Sequence, residues 1–244
     1  IYQFLMEKLA IISSSKDPAS VNIHNNLINL FSFKKMNDKF ENNEIFECQI
    51  NNRNIKLYLI NEELIHAESI DKKINADFLI FASQHRSKKN TPNFAVHAIG
   101  NWDKAGFGGR EKIICPSSAV LLKNLFVELN KNFLNYLNKK KIQNNYEVTL
   151  EATHHGPYAE KPAIFVEIGS TEQEWNDPLN GELIAKTIMD AVSSEEKSYK
   201  TAIGIGGPHY CSNFNKIALK TGIAFSHICP KYILEKLDES LIKE

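Results

Sequence analysis

Leu150-Glu151-Ala152-Thr153-His154-His155-Gly156-Pro157 is followed closely by Phe165-Val166-Glu167-Ile168-Gly169-Ser170-Thr171-Glu172-Gln173-Glu174-Trp175. Both pieces have the same grammar. A short apolar run, Tyr146 to Leu150 or Ala163 to Ile168, reads as a buried strand. Each ends in a turn crowded with carboxylates, imidazoles, hydroxyls and backbone amides. In α/β proteins, ligands lie outside the carboxyl ends of the strands. The two strands therefore deliver Glu151, His154, His155, Glu167, Ser170 and Thr171 to one rim.

Outward from this centre, strands and helices alternate. Further strands are expected over Leu9 to Ser13, Phe78 to Ala82, Phe94 to Ile99, Thr201 to Ile205 and Ile223 to Ser226. Glu44 to Ile50 and Asn54 to Ile60 read as a hairpin turning at Asn51-Asn52-Arg53. Asp17-Pro18 and Asp177-Pro178 each pair an N-cap with a proline at the first helical position. They predict helices to about Phe31 and to about Val192. Ser117-Ser118 opens the longest helix, to about Leu137; Asn213 to Leu219 is a short one, and a polar-ended helix closes the chain at Glu244. The expected fold class is α/β: a three-layer α/β/α sandwich with a mixed, largely parallel sheet. With no internal repeat or linker, residues 1–244 are expected to form one domain.

The composition, 43% hydrophobic and 24% charged, is that of an ordinary globular chain. A formal net charge of zero disfavours a protein that coats nucleic acid, but allows one that docks an RNA end through a local basic patch. No apolar run is long enough for a membrane span, and nothing resembles a signal peptide, so a cytoplasmic location is expected. Met6-Glu7-Lys8 leads directly into the first strand, which places the expected natural start at Met6. Cys48, Cys115, Cys211 and Cys229 form no zinc-ribbon spacing and are expected to be reduced and buried.

His85, His97, His154, His155, His209 and His227 all lie in or directly after predicted strands. With Glu151 and Glu167 they supply the ligand types zinc prefers, although the spacing fits no standard zinc motif. Neighbours on an extended strand point to opposite faces, so only one of His154 and His155 is expected to face a given site unless a turn intervenes. A metal here would activate water and polarise a carbonyl; without one, a His or a carboxylate would act as general base. Gly169-Ser170-Thr171 and Gly206-Gly207 could present backbone amides to an anion. Ser83-Gln84-His85-Arg86-Ser87-Lys88-Lys89 is either a solvated charged turn or a phosphate contact beside a catalytic His. The Ser-rich turn before Asp17 either caps a helix or binds an anion. Gly106-Phe107-Gly108-Gly109-Arg110 suits close approach to a ligand or simple mobility.

Four motifs in order carry a family resemblance. They are Ser83-x-His85 leading to Val96-His97-Ala98-Ile99-Gly100-Asn101, then Glu151-Ala-Thr-His-His-Gly-Pro157, then Glu167-Ile-Gly-Ser-Thr-Glu-x-Glu-Trp175. The fourth is Gly204-Ile-Gly-Gly-x-His-Tyr210, with His227-Ile-x-Pro-Lys-Tyr232 after it. The chain resembles the archaeal and plant type of D-aminoacyl-tRNA deacylase, and departs from the pattern at Cys211-Ser212. The resemblance implies hydrolysis of the ester between a D-amino acid and tRNA, a chiral proofreading activity, on a fold related to the phosphorylase and peptidyl-tRNA hydrolase group. It implies Zn2+ as cofactor, up to two per subunit, and the 3′ end of D-aminoacyl-tRNA as partner. Neither DNA nor a membrane is expected as partner, and the expected state is a monomer.

The candidate catalytic residues are His85, His154, His155, Glu151, Glu167 and His209, and the candidate metal ligands are His97, His154 and Glu151. Ser83, Asn101, Gly169, Ser170, Thr171, Glu174, Gly206 and Gly207 are candidates for substrate binding. Arg86, Lys88, Lys89 and Arg110 are candidates for tRNA contact. Chiral selection needs fixed polar groups that a wrong enantiomer would leave unpaired. Glu167, Glu174 and the Gly169 to Thr171 amides are candidates to grip the α-amino group and carbonyl. The competing readings are a metal-dependent peptidase or nucleoside phosphorylase on a similar sandwich, and a non-catalytic RNA-binding protein. The chain lacks the His-Glu-x-x-His pair of the first and any recognisable motif of the last.

Overall fold

Leu9 and Ile11 turn to one face of the first strand and Ala10 and Ile12 to the other, and all four are buried. A strand apolar on both faces belongs inside a sheet covered on both sides. The computed structural model describes residues 7–139, 141–143, 145–194, 197–237 and 241. In chain order its elements are β1 (Lys8–Ser14), α1 (Pro18–Leu30), β2 (Lys34–Phe40), β3 (Asn43–Ile50), β4 (Arg53–Ile60), β5 (Phe78–Arg86), β6 (Asn93–Ala98), β7 (Gly100–Asn101) and β8 (Ile113–Ile114). Then follow α2 (Ala119–Asn138), β9 (Glu147–Leu150), β10 (Ala163–Ser170), α3 (Glu172–Asn176), α4 (Pro178–Ser193), β11 (Lys200–Ile205), α5 (Ser212–Lys220) and β12 (Ile223–Cys229).

An eight-stranded sheet runs in the order β2-β3-β4-β1-β5-β10-β6-β9. Its centre, β4-β1-β5-β10, is parallel, and so is β6 with β9. β6 runs against β10, and β2, β3 and β4 form an antiparallel meander. On one face α1, α2 and α4 bury Leu9, Ile11, Phe78, Ile80, Phe94 and Ile164. On the other, Ile12, Ile60, Leu79, Phe81 and Phe165 lie under the 3-10 helices Leu64–His66 and Ile70–Lys72 and the chain at Tyr158 and Ala159. This is the layered, largely parallel α/β arrangement expected from the sequence, with a thin second outer layer.

The helix starts follow their caps. Asp17 accepts from Ser20 N, Ser118 from Leu121 N and Asp177 from Leu179 N. The turn after β1 is therefore a helix cap. The hairpin turns through Asn51 and Asn52, whose φ values of 47° and 63° are left-handed, a region asparagine tolerates. Three features depart from expectation. β2 was not legible because Lys34-Lys35-Met36-Asn37-Asp38-Lys39-Phe40 has no apolar alternation; it is an edge strand whose Lys35 and Lys39 pair with Glu44. β11 and β12 form their own two-stranded parallel sheet instead of joining the main one. Near the end, Lys231–Lys236 is a 3-10 helix, while the expected closing helix beyond it and the expected start at Met6 lie outside the described residues. Among the described residues no helix is long and apolar enough to cross a membrane.

One buried histidine ties the fold to pH. His24 lies on the inner face of α1, edge-on to Phe46, and its Nδ1 has no hydrogen-bond partner among the described residues. Burial pushes its pKa down to about 4. The unfolded chain takes up this proton near pH 6.5 and the folded chain only near pH 4, so acidification between those values destabilises the fold. The linkage is worth about 3 kcal/mol. His24→Leu is expected to flatten that part of the stability profile in urea titrations at pH 7, 5.5 and 4; a variant losing stability in parallel with the parent would show that His24 is not responsible.

Candidate active site

The period-two alternation that builds the second core also builds the site. On β5 the face bearing Leu79 and Phe81 continues to Ser83 and His85. On β10, Phe165 is followed on the same face by Glu167, and on β6 His97 stands opposite Phe165. Phe81 stacks on Phe165 at 4.7 Å, and His97 stacks on Phe165 at 5.5 Å. An apolar floor thus passes directly into a cluster of ionisable groups. Just past β9, the Glu151 amide donates to Val96 O, which sets its side chain beside that cluster.

His154 and His155 both enter it. His155 has φ of 46°, and this left-handed residue turns the chain so that the two rings lie 4.2 and 4.8 Å from the ring of His97. A turn does intervene, and adjacency does not separate them. His209, carried past β11 rather than by the main sheet, brings its ring to 4.6 Å from that of His154.

The buried Glu151 carboxylate is the focus. Its Oε2 lies 3.6 Å from His154 Nε2 and 3.4 Å from His209 Nε2, and its Oε1 lies 3.4 Å from His85 Nδ1. Neither oxygen has a hydrogen-bond partner among the described residues, and nor does His97 Nε2. Leaving a buried carboxylate in that state costs free energy unless something else completes it. Glu167 Oε2 lies 3.2 Å from His85 Nδ1 and 3.6 Å from His97 Nε2.

Electrostatics sort these histidines. Burial alone would lower His85, but its bond to Glu167 and the charges of Glu151 and Glu167 outweigh it and raise the pKa to about 9. His97 is likewise raised: burial opposes, and Glu167 and Glu151 prevail. Burial would raise Glu167, yet His85 and His97 hold it below the ordinary carboxylate range. Burial, helped by neighbouring imidazoles, lowers His154 well below the usual value and His155 to about 4.

The cluster fits a metal ion on grounds of its own. His97, His154 and His155 turn Nδ1 to the backbone carbonyls of Ala98, Ala152 and Gly156, at 3.0, 2.8 and 2.6 Å. A carbonyl only accepts, so each Nδ1 carries a proton; His154 and His155, whose charged forms burial disfavours, offer the Nε2 lone pair, while His97 Nε2 faces the Glu167 carboxylate. Three groups have ligand atoms close enough to share an ion: His97, His154 and His155; Glu151, His154 and His209; and His85, Glu151 and Glu167. The expected ligands His97, His154 and Glu151 are thus divided between groups that share His154. Ligands about 2.0–2.1 Å from a tetrahedral zinc stand about 3.4 Å apart, which matches the spacing around Glu151 Oε2. His154 and His209 are also partly exposed, as an open catalytic position requires.

The other candidates fall in three places. A groove of about 520 Å³ at the ends of β5 and β10 is lined by Arg86, Ser87, Lys88, Ser170, Thr171 and Trp175. Arg86 lies over the Trp175 ring at 5.0 Å, and the indole donates to His85 O. Lys89 follows on the same loop, but Arg110 stands elsewhere, its guanidinium 3.6 Å above Tyr158.

Several candidates for substrate contact are already engaged. Ser83 donates to Asp17 Oδ2, and Asn101 Nδ2 donates to Gly108 O and Arg110 O. Glu174 Oε2 accepts from Ser170 N, Thr171 N and Thr171 Oγ1, a capping box for α3. Ser170 Oγ donates to Thr91 O. Gly206 N donates to Cys229 O, and Gly207 O accepts from Lys231 N. A Cβ on Gly169 would strike Asn93, so this glycine provides room. The Ser170, Thr171 and Gly206 amides and Glu174 therefore hold turns together instead of presenting free groups to an anion or an α-amino group.

The glycine-rich loop is a strap, not a mobile flap. Its base is the β7–β8 ladder, and Glu68 accepts from both Gly109 N and Tyr158 N. A Cβ on Gly156 would run into backbone atoms of Gly108, Gly109 and Ile65, so strap and His-His-Gly-Pro turn meet backbone to backbone. Sequence reasoning missed Glu68 and Tyr210, and read Asp17 only as a helix N-cap. Asp17 accepts from Gln84 N, pinning the end of β5, and Tyr210 OH lies 3.0 Å from His85 Nε2. Only Tyr210 had a signal, its place beside His209.

The comparisons agree with this geometry. The family profile described as D-aminoacyl-tRNA deacylase matches residues 72–244. A D-aminoacyl-tRNA deacylase of Pyrococcus furiosus is 38% identical over 91% of this chain and 80% of its own length. One from Methanosarcina acetivorans is 38% identical over 97% of this chain and 79% of its own. The crystal structure of AF0625, a conserved protein of unknown function, superposes with a TM-score of 0.84 at 34% identity, over 99% of this chain and 82% of that one. The chain belongs to the D-aminoacyl-tRNA deacylase family.

Proposed function

We propose that this chain hydrolyses the ester between a D-amino acid and the terminal ribose of tRNA at the Glu151–His154–His209 group, releasing the free D-amino acid and tRNA. Members of this family are hydrolases of the aminoacyl-tRNA ester bond. The observation that carries the placement is the convergence of imidazole Nε2 atoms on a buried carboxylate with no hydrogen-bond partner among the described residues. The readings as peptidase or nucleoside phosphorylase are not favoured.

Glu151, His154 and His209 would hold Zn2+, with His97 and His155 beside them. The ion would supply Lewis acidity for the ester carbonyl and an activated water. The chain does the rest. Backbone carbonyls fix the tautomers of His97, His154 and His155. Glu167 orients His85 and His97 from the floor. Phe81 and Phe165 exclude water from below. Arg86 and Lys88, against the single acid Glu172, give the groove a net positive charge suited to the phosphates of an RNA 3′ end.

The test is release of tyrosine from D-Tyr-tRNA and L-Tyr-tRNA in parallel, with and without prior chelation. Release from the D-ester alone, lost on chelation and restored by zinc, is expected. Equal release from both esters would sink the chiral assignment, and full activity after chelation with no residual metal would sink the metal assignment. The metal-free protein should also release protons when zinc is added at pH 7, because the Glu167 and Glu151 carboxylates, outweighing burial, hold the His85 pKa at about 9 until a cation takes over.

A further inference from the structure

Tyr210 stands at the boundary between the hydrolytic cluster and the cationic groove. Its hydroxyl lies 3.0 Å from His85 Nε2, and its ring packs edge-on to those of His85 and His209 at 5.9 and 5.4 Å. An isolated antiparallel bridge pairs its backbone with that of Glu151. Its hydroxyl also interacts with Ser87, which lines the groove with Arg86 and Lys88.

The substrate has the same two halves. Resting on the deacylase reading, the acyl group belongs at the Glu151 cluster and the RNA at the groove, so the ribose oxygen joining them belongs between. Tyr210 is the hydroxyl found there. His85 Nδ1 faces Glu167 Oε2 at 3.2 Å and Glu151 Oε1 at 3.4 Å, which holds the ring in place. The Tyr210 hydroxyl meets the other ring nitrogen at the edge nearest the groove, where a ribose oxygen could take the phenol's hydrogen.

We propose that Tyr210 donates a hydrogen bond to the ribose oxygen that leaves when the aminoacyl ester is cleaved. Water adds its oxygen to the carbonyl carbon, the acyl–oxygen bond breaks, and its electron pair goes to the ribose oxygen. The proton that oxygen acquires is the one shed by the attacking water. Tyr210 keeps its own proton throughout and stabilises the negative charge that develops on the leaving oxygen, an interaction stronger in the transition state than in the bound ester.

The experiment compares Tyr210→Phe with the parent enzyme, both zinc-loaded, on two substrates: D-Tyr-tRNA and the p-nitrophenyl ester of D-tyrosine, whose leaving group needs no donor. On D-Tyr-tRNA, kcat is expected to fall about 100-fold with KM within about threefold. On the nitrophenyl ester the two enzymes are expected to match, with equal zinc content and melting temperature. Equal losses on both substrates, or a loss accompanied by lost zinc, would make Tyr210 a structural residue and overturn the proposal, as would an undiminished rate on D-Tyr-tRNA. A parent enzyme inactive on D-Tyr-tRNA would instead overturn the deacylase reading itself.

Discussion

Glu151→Gln is expected to lower kcat on D-aminoacyl-tRNA by at least about 10³-fold, equivalent to about 4 kcal/mol of transition-state stabilisation. Glutamine keeps the shape of the side chain and removes its charge. Both Glu151 oxygens are buried and unpartnered, with His85, His154 and His209 nitrogens within 3.6 Å. A neutral amide there offers one weak ligand oxygen in place of a carboxylate, and its NH2 meets the lone pair of His154. Zinc content should fall with activity. A variant that holds zinc in full and retains more than about a tenth of the parent rate would place the reaction elsewhere.

The second large effect is structural. Gly156→Ala is expected to destabilise the fold by more than about 3 kcal/mol and to lower activity with it. The added methyl would meet Gly109 N, Gly108 C and Ile65 O, all backbone, so no side chain can rotate away. Relief requires the strap to lift or the turn to withdraw. The turn carries His154 and His155, and the strap is tied to it through Glu68 and through Gly156 N, which donates to Phe107 O. Urea titration and zinc binding on the same preparation would check both parts. An unchanged midpoint with unchanged zinc affinity would show that the backbone contact relaxes freely.

The core strands, the hairpin turn and the three helix caps were legible because each rests on a local rule: period-two burial, left-handed asparagine, and Asp or Ser at an N-cap. The ionisable residues that meet at Glu151 were legible as a set, since imidazoles and carboxylates at strand ends are scarce in a buried face. Their mutual arrangement was not. Whether His154 and His155 diverge or converge depends on a left-handed backbone at a residue that is not glycine. That His209 comes from a separate sheet depends on which strand pairs with which, and no local pattern encodes that. Glu174, Ser170 and Asn101 looked like substrate ligands because capping and ligand binding call for the same residue types. The spacing Thr171-x-x-Glu174 is a capping box that could have been read from sequence. β2 was invisible because an edge strand exposed to solvent needs no apolar period.

The cation that covers Trp175 has a practical consequence. The chain has two tryptophans, and Trp102 is buried edge-on to His227. Trp175 lies at the groove with Arg86 over its face and its indole N–H bonded to the backbone of His85. A polyanion drawing Arg86 away would strip the indole of its charged cover and alter its emission, while Trp102 stays constant. The protein therefore carries a built-in optical reporter on its own groove, one that needs no label and reads occupancy separately from turnover.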